Sequence, residues 1–240
     1  MPDVLVPSLD EYSVIHGILR QPSLVDYPGQ LGVLMFTSGC NFRCGFCHNV
    51  DLLDHFDART YSYKVLHEKL AKYREEWVQA VTVTGGEPTL QAKLPETIRF
   101  LKDEGFLVKL DTNGCNPLMI KELLPIIDYF AVDLKCALVH YPEFVKYSQI
   151  DRIRESFQLI MTEAKDYEFR TTVLENFHTD EEILAAAQDI KGAKRWFLQP
   201  FIPHENLPDE AMRTLPRTRP SVLEHLAEIA RPIVPGAQAR

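Results

Sequence analysis

The chain has 240 residues, 45% hydrophobic and 25% charged, proportions of a soluble globular protein long enough to bury its own core. Twenty-six basic against 34 acidic residues leave a net charge of −8, spread along the chain without a basic stripe, which argues against nucleic acid as a partner. The longest apolar runs are strand-length, far short of the roughly 18 residues of a membrane span. No leader-type segment opens the sequence, so its five cysteines are expected as reduced thiols in the cytoplasm.

In chain order, residues 1–11 read as a polar, proline-containing arm, and Ser13 to Gly29 as a short hairpin before the first core strand. Leu31 to Thr37 is a buried strand, and Cys40, Cys44 and Cys47 fall on the loop at its C-terminal end. After a polar connection from Asp51 to Thr60, Ser62 is placed to cap a helix over residues 63–77. Strands are predicted over 80–84, 107–111, 129–134, 167–174 and 196–199. Helices are predicted over 93–104, 117–127, 151–165, 181–191 and 222–229, with Gly105 closing the first and Asp180 capping the fourth. Residues 207–220 read as a proline-punctuated loop, and the last residues as a frayed tail. Six strands alternating with helices imply parallel β/α units curled by right-handed crossovers. The expected division is an arm and hairpin to residue 30, the β/α unit over 31–203, and a C-terminal loop and helix over 204–240.

The unusual residues sit at the C-terminal ends of these strands: Cys40 to Cys47, Gly85 to Pro88, Asp111 to Gly114, Asp133 to Lys135, and Gln199. In a barrel those ends form one rim, where active sites lie. Six units are too few for a closed eight-stranded barrel.

Three thiolates within eight residues can hold one metal centre while leaving a coordination position open, whereas four-cysteine sets suit closed structural sites. A zinc knuckle completed by His48, in a non-enzymatic metal-binding module, is the alternative. Two glycines before Glu87 allow close backbone approach to a bound group; an ordinary strand-to-helix turn would look the same. Asp111, Asn113, Asp133 and Lys135 are either pocket residues or solvated strand ends. Arg170, inside a strand, is costly to bury unpaired and is assigned to the pocket, against a rim ion pair. Cys115 and Cys136 read as packed thiols; Gln199 and His204 sit near the last strand's end.

The run Cys40-Asn41-Phe42-Arg43-Cys44-Gly45-Phe46-Cys47, with Phe46 before the third cysteine, resembles the cluster loop of radical S-adenosylmethionine enzymes. Cys47-His48-Asn49, Gly85-Gly86-Glu87-Pro88, Asp111-Thr112-Asn113-Gly114 and Asp133-Leu134-Lys135 are similar to segments of the activating enzymes of glycyl-radical enzymes, so the resemblance spans residues 16–203. It implies an α/β fold, a partial (β/α)6 TIM-like barrel open on one side. It implies a [4Fe-4S] cluster on the three cysteines, with S-adenosylmethionine held by Phe46, Gly85, Gly86, Glu87, Asp111, Asn113, Asp133, Lys135 and Arg170, and a monovalent cation beside the aspartates. Reductive cleavage of the cofactor would remove an α-hydrogen from a glycine of a partner glycyl-radical enzyme, in an anaerobic setting. The electron would come from a low-potential donor such as flavodoxin or ferredoxin. Leu24 to Gly29 and Gln199-Pro200-Phe201 look most like activators of anaerobic ribonucleoside-triphosphate reductase, with pyruvate formate-lyase activators close behind. With no second cysteine set between Cys47 and Gly85, a small-molecule substrate is less favoured than a protein plugging the open side.

Overall fold

A computed structural model describes residues 7–55 and 59–240; the start of the expected arm and three residues of the connection before Ser62 lie outside them. Leu31 to Thr37 is all but the first residue of β3 (Gln30–Thr37), an eight-residue strand half of whose residues are buried. β1 (Gly17–Ile18) and β2 (Ser23–Tyr27) precede it, and both pair antiparallel with β3. The expected hairpin within Ser13 to Gly29 is therefore replaced by one between β2 and β3. A two-residue β1 satisfies few backbone groups, while the free edge of β3 offers partners to both short strands.

From β3 the chain alternates as the periodicity predicts. α1 (Tyr63–Glu75) follows its Ser62 cap, whose hydroxyl accepts from Val65 N at 3.4 Å. Then come β4 (Ala80–Gly85), α2 (Leu94–Asp103), β5 (Leu107–Thr112), α3 (Pro117–Leu123) and β6 (Tyr129–Asp133). A short α4 (Tyr141–Phe144) precedes α5 (Ile150–Glu163), β7 (Tyr167–Val173), α6 (Asp180–Asp189) and β8 (Trp196–Pro200). α7 (Glu210–Arg213), α8 (Pro220–Ala230) and β9 (Ala237–Ala239) complete the chain. α1 stops short of Trp77, whose φ of 64° is left-handed. α6 is capped by Thr179, which accepts from Glu182 N, so Asp180 belongs to the first turn. Residues 207–220 are not wholly loop, because α7 lies within them.

The sheet order β1-β3-β4-β5-β6-β7-β8-β9, parallel from β3 onward, is the partial barrel that six β/α units imply. The tail departs from expectation. β9 adds a further parallel strand beside β8, with Trp196 N donating to Gly236 O at 3.1 Å and Arg240 N to Leu198 O at 2.9 Å. A three-residue strand carries no alternation that a sequence could show. One hydrophobic core extends from Ile15 through the barrel to Leu223, Val234 and Ala237, so both flanks pack on it.

Arg240 also reaches into the barrel. Its guanidinium lies 3.6 Å from the Phe197 ring centroid and pairs with both Glu168 oxygens at 3.0 Å, and Tyr129 Oη donates to Glu168 at 2.8 Å. Glu168 is 1% exposed, and a buried carboxylate is costly to leave without its partner. Arg240→Ala is expected to lower unfolding stability by about 1–3 kcal/mol. Adding Glu168→Gln in the same background should recover part of the loss in a denaturant titration; no recovery would show that the stranded charge is not its source.

Candidate active site

Cys40, Cys44 and Cys47 open onto a cavity of about 440 Å³ at the C-terminal ends of the strands. Phe46, Gly85, Gly86, Glu87, Asp111, Asn113, Asp133 and Lys135 line the same space. The residues separated by up to 95 positions in sequence thus meet because parallel strands share one rim. Of the residues that the resemblance assigns to the cluster and S-adenosylmethionine, Arg170 alone does not reach the lining.

Backbone contact joins the cysteine loop to the glycine turn. Gly85, at the end of β4, lies opposite Thr37, at the end of β3. Gly86 N donates to Thr37 O at 3.1 Å and Glu87 N to Gly39 O at 2.8 Å. A Cβ on Gly85 or Gly86 would fall well inside van der Waals contact of the Thr37 or Gly39 backbone, and Gly85 has φ of 123°. The glycines thus serve chain packing first. Asn49 closes the same junction, its Nδ2 donating to Gly85 O at 3.0 Å.

Glu87 is 1% exposed and braces β4 against β5. Its Oε1 accepts from Thr89 N at 3.0 Å, Thr89 Oγ1 at 2.5 Å and Thr112 Oγ1 at 2.7 Å, and its Oε2 accepts from Asn113 N at 2.6 Å. Burial pushes its carboxyl up, against the pull of these four bonds. The charge expected to face a ligand is therefore largely spent on the protein's own donors. Asn113 Nδ2 in turn lies 3.2 Å from Asn41 Oδ1 and 4.0 Å from Cys40 Sγ.

On the other wall, five charged groups alternate in sign. Lys109 Nζ lies 2.8 Å from Asp111 Oδ1, and Asp111 Oδ2 lies 3.2 Å from Arg170 Nη1. Arg170 Nη2 lies 3.0 Å from Asp133 Oδ1, whose Oδ2 lies 2.9 Å from Lys135 Nζ. Burial alone would raise Asp133, but Arg170 and Lys135 outweigh it and hold its carboxyl at about 2. Burial and Asp133 act oppositely on Lys135, and the aspartate wins, so its ammonium is firmly charged. Arg170 thus supports the two aspartates from beneath the lining. Lys135 Nζ also sits 5.8 Å over the Phe46 ring.

Burial pushes the Cys40 thiol up to about 11 and that of Cys44 to about 12, so both are protonated at neutral pH in this state. Among the described residues no three His, Cys, Asp or Glu groups converge on a single-ion site. Three thiols around one roomy cavity suit a polynuclear cluster, which bonds each sulfur at a separate iron. Cys115 and Cys136 are buried, as packed thiols would be. Gln199 and His48 line the cavity; the His204 ring is 6.2 Å from that of His48 but outside the lining.

Sequence reasoning missed Thr172 and Ile202, both in the lining, and Thr112 as a Glu87 partner. Thr172 follows Arg170 by two residues on one strand face, a legible signal; Ile202, beyond β8, had none. Glu87→Gln would turn an amide N–H₂ toward donors, breaking at least one bond. It is expected to destabilise the metal-free protein by about 1–3 kcal/mol in chemical denaturation, and an unchanged midpoint would refute the brace.

A model of the radical SAM superfamily matches residues 34–215. A Methanocaldococcus jannaschii protein whose name assigns it to the glycyl-radical enzyme activating enzymes is 34% identical over 218 residues, covering 87% of this chain and 88% of that one. The pyruvate formate-lyase 1-activating enzyme of Escherichia coli is 36% identical over 119 residues, 46% of this chain and 48% of its own. Among solved structures, Streptococcus suis SuiB bound to S-adenosylmethionine superposes with a TM-score of 0.63 at 16% identity, over 79% of this chain and 44% of that one. A domain of a pyruvate-formate lyase-activating enzyme from Bacteroides vulgatus gives 0.53 at 17% identity, over 68% and 98%. With its cysteine loop, glycine turn and partial barrel, the chain belongs to the radical SAM superfamily, in the family of glycyl-radical enzyme activating enzymes.

Proposed function

We propose that this protein installs a glycyl radical on an anaerobic ribonucleoside-triphosphate reductase. The observation that supports the reading best is the meeting of three thiols, a glycine turn and a cation-bearing charge ladder in one cavity. Cys40, Cys44 and Cys47 would hold three irons of a [4Fe-4S] cluster, leaving one iron for S-adenosylmethionine. Once bound, the pair supplies one-electron cleavage of a sulfonium bond and a radical able to take a glycine α-hydrogen.

The chain's own residues bind and shield. The ladder holds three cations against two carboxylates, and the surplus positive charge at Lys135 suits the carboxylate of a methionine zwitterion. Its ammonium would meet backbone acceptors of the glycine turn, with Gly85 O already engaged by Asn49. Asp111 and Asp133 would accept from ribose hydroxyls, or hold a monovalent cation. Phe46, Leu53 and Ile202 supply apolar lining. A low-potential donor such as flavodoxin or ferredoxin would deliver the electron in the cytoplasm.

The partner assignment rests on resemblance at Leu24 to Gly29 and at Gln199-Pro200-Phe201. Tyr27 of that segment sits at the opposite end of β3 from the cysteines, packed at 6.0 Å against Tyr129. Pyruvate formate-lyase is the second reading, favoured by the likeness to its activating enzymes.

The test is anaerobic loading with iron and sulfide, then reduction with S-adenosylmethionine and each candidate enzyme, followed by electron paramagnetic resonance. A glycyl doublet on the reductase is expected, and Cys44→Ser should abolish it. A doublet on pyruvate formate-lyase alone would move the assignment to the second reading. Release of methionine and 5′-deoxyadenosine without a doublet on any candidate would point to a small substrate; a colourless protein would leave only a metal-binding module.

A further inference from the structure

Lys135 is gripped on both sides of its own residue. Its N–H donates to Tyr141 Oη at 3.1 Å, and its carbonyl lies 2.9 Å from His178 Nε2. His178, 2% exposed, comes from the turn between β7 and α6, and its Nδ1 lies 2.9 Å from Leu174 N. A backbone N–H can only donate and a carbonyl can only accept. The ring must therefore accept at Nδ1 and donate from Nε2, which fixes one neutral tautomer. A second proton would sit on Nδ1 and break the bond from Leu174.

Burial opposes that proton, while Glu182 of α6 and the Lys135 carbonyl favour it; burial wins and the ring titrates below its ordinary range. Aromatic packing completes the mount. Phe144 of α4 stacks on Phe177 at 4.0 Å and 14°, and both rings meet His178 edge-on, at 5.6 and 5.1 Å. Phe144 also lies 5.4 Å from Phe46 of the cysteine loop. His178 is thus the point where the turn after β7 touches both the lysine segment and, through Phe144, the cysteine loop.

We propose that His178 is a positioning residue of the cofactor cavity: its Nε2–H fixes the Lys135 carbonyl, and with it the place from which the Lys135 ammonium meets an entering carboxylate. It acts through Lys135, lies outside the cavity lining, and belongs to none of the motifs that mark the site. The inference rests on the cavity being the S-adenosylmethionine site.

The two nitrogens can be separated by substitution. In His178→Gln the side-chain amide can still donate near the Nε2 position; in His178→Asn the amide oxygen can still accept from Leu174, but nothing reaches Lys135. Each costs one hydrogen bond, so their unfolding midpoints should be similar. Binding of S-adenosylmethionine to the cluster-loaded, unreduced protein, followed by equilibrium dialysis, should weaken about tenfold or more in the Asn variant and stay within about threefold of the parent in the Gln variant. Equal affinities in the two variants, both near the parent's or both reduced, overturn the proposal. A parent protein that binds no S-adenosylmethionine overturns the reading of the cavity and this inference with it. Where the variants do not fold, nitrogen-15 spectra of histidine-labelled parent protein decide. A single Nε2–H tautomer, unchanged through the range near pH 6.5 where free histidine titrates, is expected; an Nδ1–H tautomer or a titrating ring rules the role out.

Discussion

The charge ladder from Lys109 to Lys135 is the constraint on which the barrel's interior depends. An unpaired ion in such a place costs several kcal/mol, and pairs offset that cost only when their geometry is good. Asp111 on β5, Asp133 on β6 and Arg170 on β7 can meet only if the register of these strands is correct, as the pairing of Asp133 with Arg170 shows. A slip of one residue in any of these strands would turn its ladder residues to the other face of the sheet. The pairing of these charges is therefore tied to the register of the three strands. It also leaves a cation at the top of the ladder, where the cavity begins.

A second junction ties the cavity's halves together. The glycine turn lies against the cysteine loop so closely that side chains are excluded, and Asn49 and Glu87 secure either flank. Glu87 links the turn to Thr112 and Asn113, and Asn113 reaches the Cys40 sulfur. Motifs that read as separate ligand contacts are therefore one continuous framework. A change at one would be transmitted to the others through hydrogen bonds a few ångströms long.

Much of this was legible before the fold was known. The strand–helix alternation placed the six parallel strands to within a residue or two at most ends, because period-two and period-3.6 patterns persist over buried segments. The cavity residues were legible because strand ends of a β/α barrel converge whatever the loops do. What escaped were features lacking a local pattern. β9 has three residues, and its partner strand lies some forty residues back in sequence. β1 and β2 were expected to pair with each other, but the edge of β3 competed for both. Arg170 looked like a pocket residue because burial of an arginine needs a partner; its partners proved to be the aspartates themselves.

By itself the sequence determined which residue types stand at each strand end, and so the chemistry available at the rim: three thiols, a double glycine, two aspartates and a lysine. Those assignments depend on short-range pattern and on the fixed chemistry of side chains. Only the tertiary structure decided which of these groups face the cavity and which are consumed by one another. Glu87 is committed to four donors, Gly85 O to Asn49, and Lys135 is held from behind by His178, a residue that no motif contains. Such pairings are settled by distances between segments far apart in the chain, and no local pattern of residues encodes a distance.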